Sequence, residues 1–220
     1  VREHPEYARQ AIEYISSRWR EVPQALYDKG VRAGDVKYWD RNGDGNITDD
    51  DRIVTGNPNP KFSGGWNNTF KYKGLELSLF FTYSYGNDVY ASWMIHGSKP
   101  GYTRSLLKAY ADNRWTGPGT SDKYPRAIYS YSGWTMYLPD GSFIRLRSVT
   151  LGYTFPQRLV SKIHLKGLRV YAQGDNVFLC SRYPGWDPET SVNLDPRFYG
   201  EDNDGVPQPR IFKLGVNITF

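Results

Sequence analysis

The sequence has one cysteine, Cys180, so no disulfide closes within the chain and a small secreted scaffold held by disulfides is excluded. With none of the three histidines near it, Cys180 reads as a buried or loop thiol and not as a nucleophile. His4, His96 and His164 are dispersed, no nucleophile–base spacing occurs, and the paired carboxylates gather chiefly in one loop, so the chain is not expected to be an enzyme. Neither sign of charge is in large excess: 28 Lys+Arg against 23 Asp+Glu give +5, and the basic residues are scattered, so nucleic acid is not an expected partner. No run of eighteen apolar residues exists, which excludes a transmembrane helix. It does not exclude a barrel, whose strands alternate and carry no such run. The opening residues lack the basic start and apolar core of a secretory leader, so the chain is expected to be processed or to be a fragment of a longer one.

Aromatic residues are what the sequence has in excess. The 18 Tyr, 10 Phe and 7 Trp make 16% of the chain, more than a soluble core needs, whereas barrels use them as girdles where the wall meets water. Residues 1–29 place Ala8, Ile12, Ile15 and Trp19 at helical spacing and predict an amphipathic helix ending near Pro23. From Phe62 the period changes to two. Phe62, Trp66, Phe70 and Tyr72 alternate with Ser63, Asn67, Thr69 and Lys71. Leu75 to Tyr85 then alternates over a length that suits a tilted span of a hydrocarbon core. Lys73-Gly74 between these runs predicts a hairpin. Further strands are expected at 143–155, 167–178 and 210–220, each with charges and amides on its polar face, as a wet lumen requires.

The connections alternate in length, short at 73–74 and 156–166 and long at 86–142 and 177–209. Soluble sandwiches rarely need such long loops, while outer-membrane barrels combine short periplasmic turns with long extracellular ones. The expected fold is therefore all-β, with about five C-terminal strands of a large antiparallel transmembrane barrel at 62–220. A helical extracellular segment at 1–33 and an extracellular ion-binding loop at 34–61 precede them. The competing reading is a secreted, calcium-stabilised β-sandwich acting as a carbohydrate-binding or adhesion module, which shares the period of two.

Two motifs sharpen this reading. The final run alternates to a terminal aromatic, Phe220, which resembles the C-terminal signal of outer-membrane barrels. The run DRNGDGNITDDD at 40–51 places Asp40, Asn42, Asp44, Asn46, Thr48 and Asp51 at positions 1, 3, 5, 7, 9 and 12 of a twelve-residue loop, with Gly45 at position 6. A large hard cation needs six to eight oxygens from a chain wrapped round it, so the expected ligand is a structural Ca²⁺. Position 12 is Asp51 in place of the usual Glu, as in dockerin-like loops.

GDVKYWDRNGDGNITDDDRIVTGNPNPKFSGGWNNTFKYKGLELSLFFTYSYGNDVY (34–90) resembles the SusC-like TonB-dependent transporters of the Bacteroidota. So do SFIRLRSVTLGYTFP (142–156), LRVYAQGDNVF (168–178), YPGWDPE (183–189) and PQPRIFKLGVNITF (207–220). The resemblance implies a large barrel filled by an N-terminal plug in the cell outer membrane. It implies a SusD-like surface lipoprotein as lid, TonB as the source of energy through a region absent here, and oligosaccharide or peptide as cargo. Five strands cannot close a barrel, so outer-membrane lipid and the rest of a longer polypeptide are expected neighbours. Trp93, Tyr102, Trp115, Trp134 and Trp186, in the long loops, are the expected cargo contacts, because their ring faces can stack on sugars.

Overall fold

The computed structural model describes residues 28, 30–36, 38–100, 105–121, 123–127, 135–189 and 199–220. The helix expected across Ala8 to Trp19 lies outside them. The chain forms two compact units, one drawn from Val1–Gly56 and Ala91–Leu138, the other from Asn57–Tyr90 and Pro139–Phe220.

The second unit is a meander of five antiparallel strands: β1 (Phe62–Tyr72), β2 (Leu75–Tyr85), β3 (Phe143–Thr154), β4 (Gly167–Ser181) and β5 (Ile211–Thr219). Each pairs with its neighbour in the chain, in the order β1-β2-β3-β4-β5. Between β1 and β2, Lys73 (φ 45°) and Gly74 (φ 89°) both take positive φ, as a two-residue type I′ turn demands. Glycine at 74 has a second reason: a Cβ there would sit 2.5 Å from the Thr154 carbonyl oxygen. β4 continues past 178 to Ser181, because Phe178 and Cys180 still pair with Leu146 and Ile144.

Register gathers the apolar side chains on one face. Phe70 stands opposite Leu77, Leu77 opposite Leu151, Leu151 opposite Ala172, and Ala172 opposite Leu214. In β3 the alternation slips: Phe80 faces Ser148 and Phe81 faces Leu146, leaving Arg147 as an extra residue. This bulge puts Ile144 and Leu146 on the same face as Val149, Leu151 and Tyr153, while Arg145, Arg147 and Ser148 share the other. A strict period-two reading of 143–155 loses that continuity.

The apolar face is bare. Leu214 is 89% exposed, and Trp66, Phe70, Tyr72 and Phe212 are also open. Side chains this open are how a barrel wall differs from one half of a sandwich. On the polar face, close packing depends on glycine. A Cβ at Gly215 would lie 2.3 Å from the ring of Tyr171 on β4, its cross-strand partner. Gly215→Val is therefore expected to destabilise the sheet by about 1–3 kcal/mol through overpacking. Adding Tyr171→Ala should recover part of the loss, read as the urea midpoint of the full polypeptide folded in vesicles.

The first unit has its own small core. Tyr110, in the helix α1 (Lys108–Asn113), is fully buried, meets Tyr124 edge-on at 5.9 Å and donates its hydroxyl to the Arg126 carbonyl at 3.2 Å. Burial pushes its pKa above the usual phenol value. Arg126 also grips Asp35 through Nε–Oδ1 at 2.5 Å and Nη2–Oδ2 at 3.2 Å.

Candidate functional site

The polar face of the sheet carries a cross-strand array of charges. Glu76 on β2 takes Lys71 of β1 at 3.2 Å and Arg169 of β4 at 2.8 Å. Arg169 reaches it by passing over β3 at Gly152, where a Cβ would stand 2.9 Å from the guanidinium. Farther along, Lys213 of β5 pairs with Asp175 at 2.6 Å, and the Gln173 amide donates to the same carboxylate at 2.8 Å. Part-exposed pairs of this kind contribute at most about 1 kcal/mol each. Their consequence is a wet, charge-balanced surface with alternating sign, suited to a lumen.

At the end of the strands nearer the long loops, the charges are buried. Arg145 is 2% exposed and pairs with Asp187, 5% exposed, while its Nε lies 3.0 Å from Glu189. Arg147 also pairs with Glu189. Asp187 in turn accepts the backbone N–H of Glu189 at 3.0 Å and of Gln208 at 3.1 Å. The bulge in β3 makes this cluster possible: Arg145 and Arg147 share a side as in any strand, and the slip moves that side from the apolar face to the polar one. A second buried tie follows: the Tyr183 hydroxyl donates to Asp202 at 2.5 Å, and Asp202 accepts the Gly205 N–H at 2.8 Å. Between these anchors the loop holds Trp186 out, 80% exposed. The blocks 142–156 and 183–189 thus meet through ion pairs that sequence reading did not single out. The two arginines flanking Leu146 were their only local signal.

Of the other expected cargo contacts, Trp115 packs half-buried against Gly34, where a Cβ would lie 2.3 Å from its ring. Trp93 is half-buried in the helical turn Ser92–Gly97. Tyr102 and Trp134 lie outside the described residues. Cys180 is exposed on the apolar face.

In the loop at 40–51, side-chain oxygens are held by backbone N–H groups. Asp40 accepts from Gly43 at 2.7 Å and Gly45 at 2.8 Å, Asn42 from Asp44 at 3.0 Å, and Asp44 from Asn46 at 2.7 Å. Gly43 and Gly45 take φ of 75° and 78°, which lets the chain turn this tightly. Asp51 closes the loop by accepting from Arg41 at 2.9 Å and Thr48 at 2.8 Å. It is 8% exposed, and the Thr48 amide foremost holds its pKa below the ordinary carboxylate value. Among the described residues, no three His, Cys, Asp or Glu side chains converge as a metal cluster. The donors of this loop are instead oxygens of mixed carboxylate, amide and hydroxyl type, each with lone pairs left over.

No family model matches the chain. Among curated proteins it is similar to two TonB-dependent receptors of Formosa agariphila. One is 30% identical over 195 residues and the other 36% identical over 198, each match covering 85% of this chain but 19% and 20% of the receptor. The TonB-dependent receptor SusC of Bacteroides thetaiotaomicron is 29% identical over 206 residues, 90% of this chain and 19% of that protein. The chain spans about one fifth of the length of these relatives. Among solved structures, the RagAB peptide transporter superposes with a TM-score of 0.68 at 23% identity, covering 80% of this chain and 19% of its own. The RagAB peptide importer in its open-open state gives 0.65 at 24% identity, covering 76% and 18%. These likenesses carry the fold: antiparallel strands of a transporter barrel.

Proposed function

The chain is a segment of the SusC-like TonB-dependent receptor type, whose place is the outer membrane, and from this premise we propose that it forms part of the wall and extracellular vestibule of a nutrient importer. The observation that carries the reading is the two-faced sheet. One side is apolar and bare, fit for lipid; the other is lined by Lys71, Glu76, Arg169, Asp175 and Lys213, fit for a water-filled lumen. The edges β1 and β5 need further strands, since open backbone groups are not tolerated in hydrocarbon. The remainder of a longer barrel supplies them, together with a plug and the segment that contacts TonB. A SusD-like surface lipoprotein closes over the vestibule, and the cargo is an oligosaccharide or a peptide. Trp186 is the best placed of the expected cargo contacts, being open and held between two buried ties. The uncovered apolar face speaks against the sandwich module.

Source cells with and without the intact gene, given fluorescently labelled oligosaccharide and peptide mixtures, test this reading. Uptake of one class that is lost on deletion and on collapse of the proton-motive force supports it. Equal uptake by both strains contradicts it.

We further infer that the 40–51 loop holds a structural Ca²⁺ through Asp40, Asn42, Asp44, Asn46, Thr48 and Asp51. All donors are hard oxygens, and the loop turns at Gly45 as such a site requires. With a dissociation constant of about 10⁻⁴–10⁻³ M, roughly 2 mM Ca²⁺ stabilises the loop by about 0.6–1.8 kcal/mol. Protease cleavage at 40–56 of the full polypeptide is expected to slow on adding Ca²⁺, and Asp44→Ala should abolish the effect. The lowered pKa of Asp51 adds a pH dependence. Its stabilising contribution is complete above the unfolded carboxylate pKa of about 3.9 and is lost as pH falls through the lower folded value. In chelator, cleavage should therefore accelerate only on the acid side of pH 4.

A further inference from the structure

The apolar face ends, at the loop-side end of the strands, in an open groove of about 580 Å³. Phe62, Tyr83, Tyr85, Ile144 and Cys180 wall it, and Arg182 stands at its rim. The Phe62 ring stacks on Tyr85 at 5.0 Å and meets Tyr83 edge-on at 6.2 Å, so the wall is built and not a loose scatter of side chains. Asp140 also borders the groove, but its carboxylate already accepts the N–H and hydroxyl of Ser142 at 2.9 and 2.5 Å. Arg182 makes no ion pair or side-chain hydrogen bond among the described residues. One unpaired cation, Arg182, thus stands at an aromatic groove where the apolar band stops.

We propose that this groove seats a phosphorylated, acylated lipid of the outer leaflet, with its acyl chain along Phe62, Tyr83 and Ile144 and its phosphate on the Arg182 guanidinium. The inference rests on the outer-membrane reading above. A planar guanidinium matches phosphate with two parallel N–H donors, and aromatic side chains are at home where acyl chains meet headgroups. Cargo follows the opposite, polar face, so a nutrient is the wrong occupant here. An apolar protein partner would leave Arg182 unmatched at the membrane boundary. Arg182 fixes the headgroup through its paired N–H donors.

The experiment uses the complete transporter, reconstituted in phosphatidylethanolamine nanodiscs containing either a phosphorylated lipid A or its dephosphorylated form. Native mass spectrometry then counts the glycolipid retained. Wild-type protein should retain the phosphorylated form about five- to tenfold more tightly than Arg182→Gln, with Arg182→Lys between them, and should show little preference once the phosphate is removed. Equal retention by wild type and Arg182→Gln overturns the proposal. So does displacement of the lipid by millimolar inorganic phosphate, which makes the site one for free anions. Failure of the protein to enter the membrane at all appears earlier, as absence of incorporation, and counts against the outer-membrane reading itself. Arg182 is exposed, so its substitution leaves folding intact.

Discussion

Asp187→Ala is expected to destabilise the second unit by about 3–5 kcal/mol, because it strands Arg145 in a buried position without its principal counter-charge. Arg145 is 2% exposed, and its other partner, Glu189, is shared with Arg147 and more open to water. Asp187 also ties down the amides of Glu189 and Gln208, so its loss frees two loop segments together. The loss should show in two ways: a lower urea midpoint for the full polypeptide in vesicles, and faster proteolysis across 182–210. Removing both charges separates charge burial from packing. Arg145→Met with Asp187→Leu should recover much of the midpoint, since a well-packed apolar pair replaces a buried ion pair at little cost. It should not restore protease resistance, because the amides remain without acceptors. A single-mutant loss within about 0.5 kcal/mol would place the cluster in solvent.

Leu151→Arg is the second large effect. Leu151 sits mid-strand in β3 between Leu77 and Ala172, on the apolar face. In a barrel wall that face meets hydrocarbon, and an arginine near the midplane costs about 2–4 kcal/mol. Thr150, one residue earlier, lies on the polar face between Ser78 and Gln173, and Thr150→Arg should be close to neutral. The contrast between adjacent positions is what counts, read as folding yield and urea midpoint in vesicles. Equal tolerance at both would contradict the assignment of faces.

Much of this wall is legible because its information is local. The hairpin at 73–74 follows from two alternating runs joined by Lys-Gly, and the observed turn takes the two positive φ values that such a linker permits. The tight turn of the 40–51 loop is legible for the same reason, since Gly43 and Gly45 take the positive φ that glycine permits. The strand at 143–155 is legible in its extent, but its two faces only in the second half. Arg147 and Ser148 interrupt the alternation, so Ile144 and Leu146 look out of phase until the partner strands reveal a bulge. The Arg145–Asp187 pair is harder still, with its members 42 positions apart and nothing in one sequence to say that they meet. Trp115 shows the same limit. Its place in a long loop suggests a ring offered to cargo, but tertiary packing sets it against Gly34.

The most direct test of the account is the mass and location of the polypeptide that contains residues 34–90. Outer membranes from the source cells would be solubilised in detergent, and the protein identified by its peptides and weighed intact together with whatever co-purifies. The account predicts a membrane-embedded product several times the size of this segment, as the one-fifth coverage of the relatives implies, and the proposed lid adds a surface lipoprotein held with it. A soluble monomer of 220 residues, folded without detergent, would contradict it.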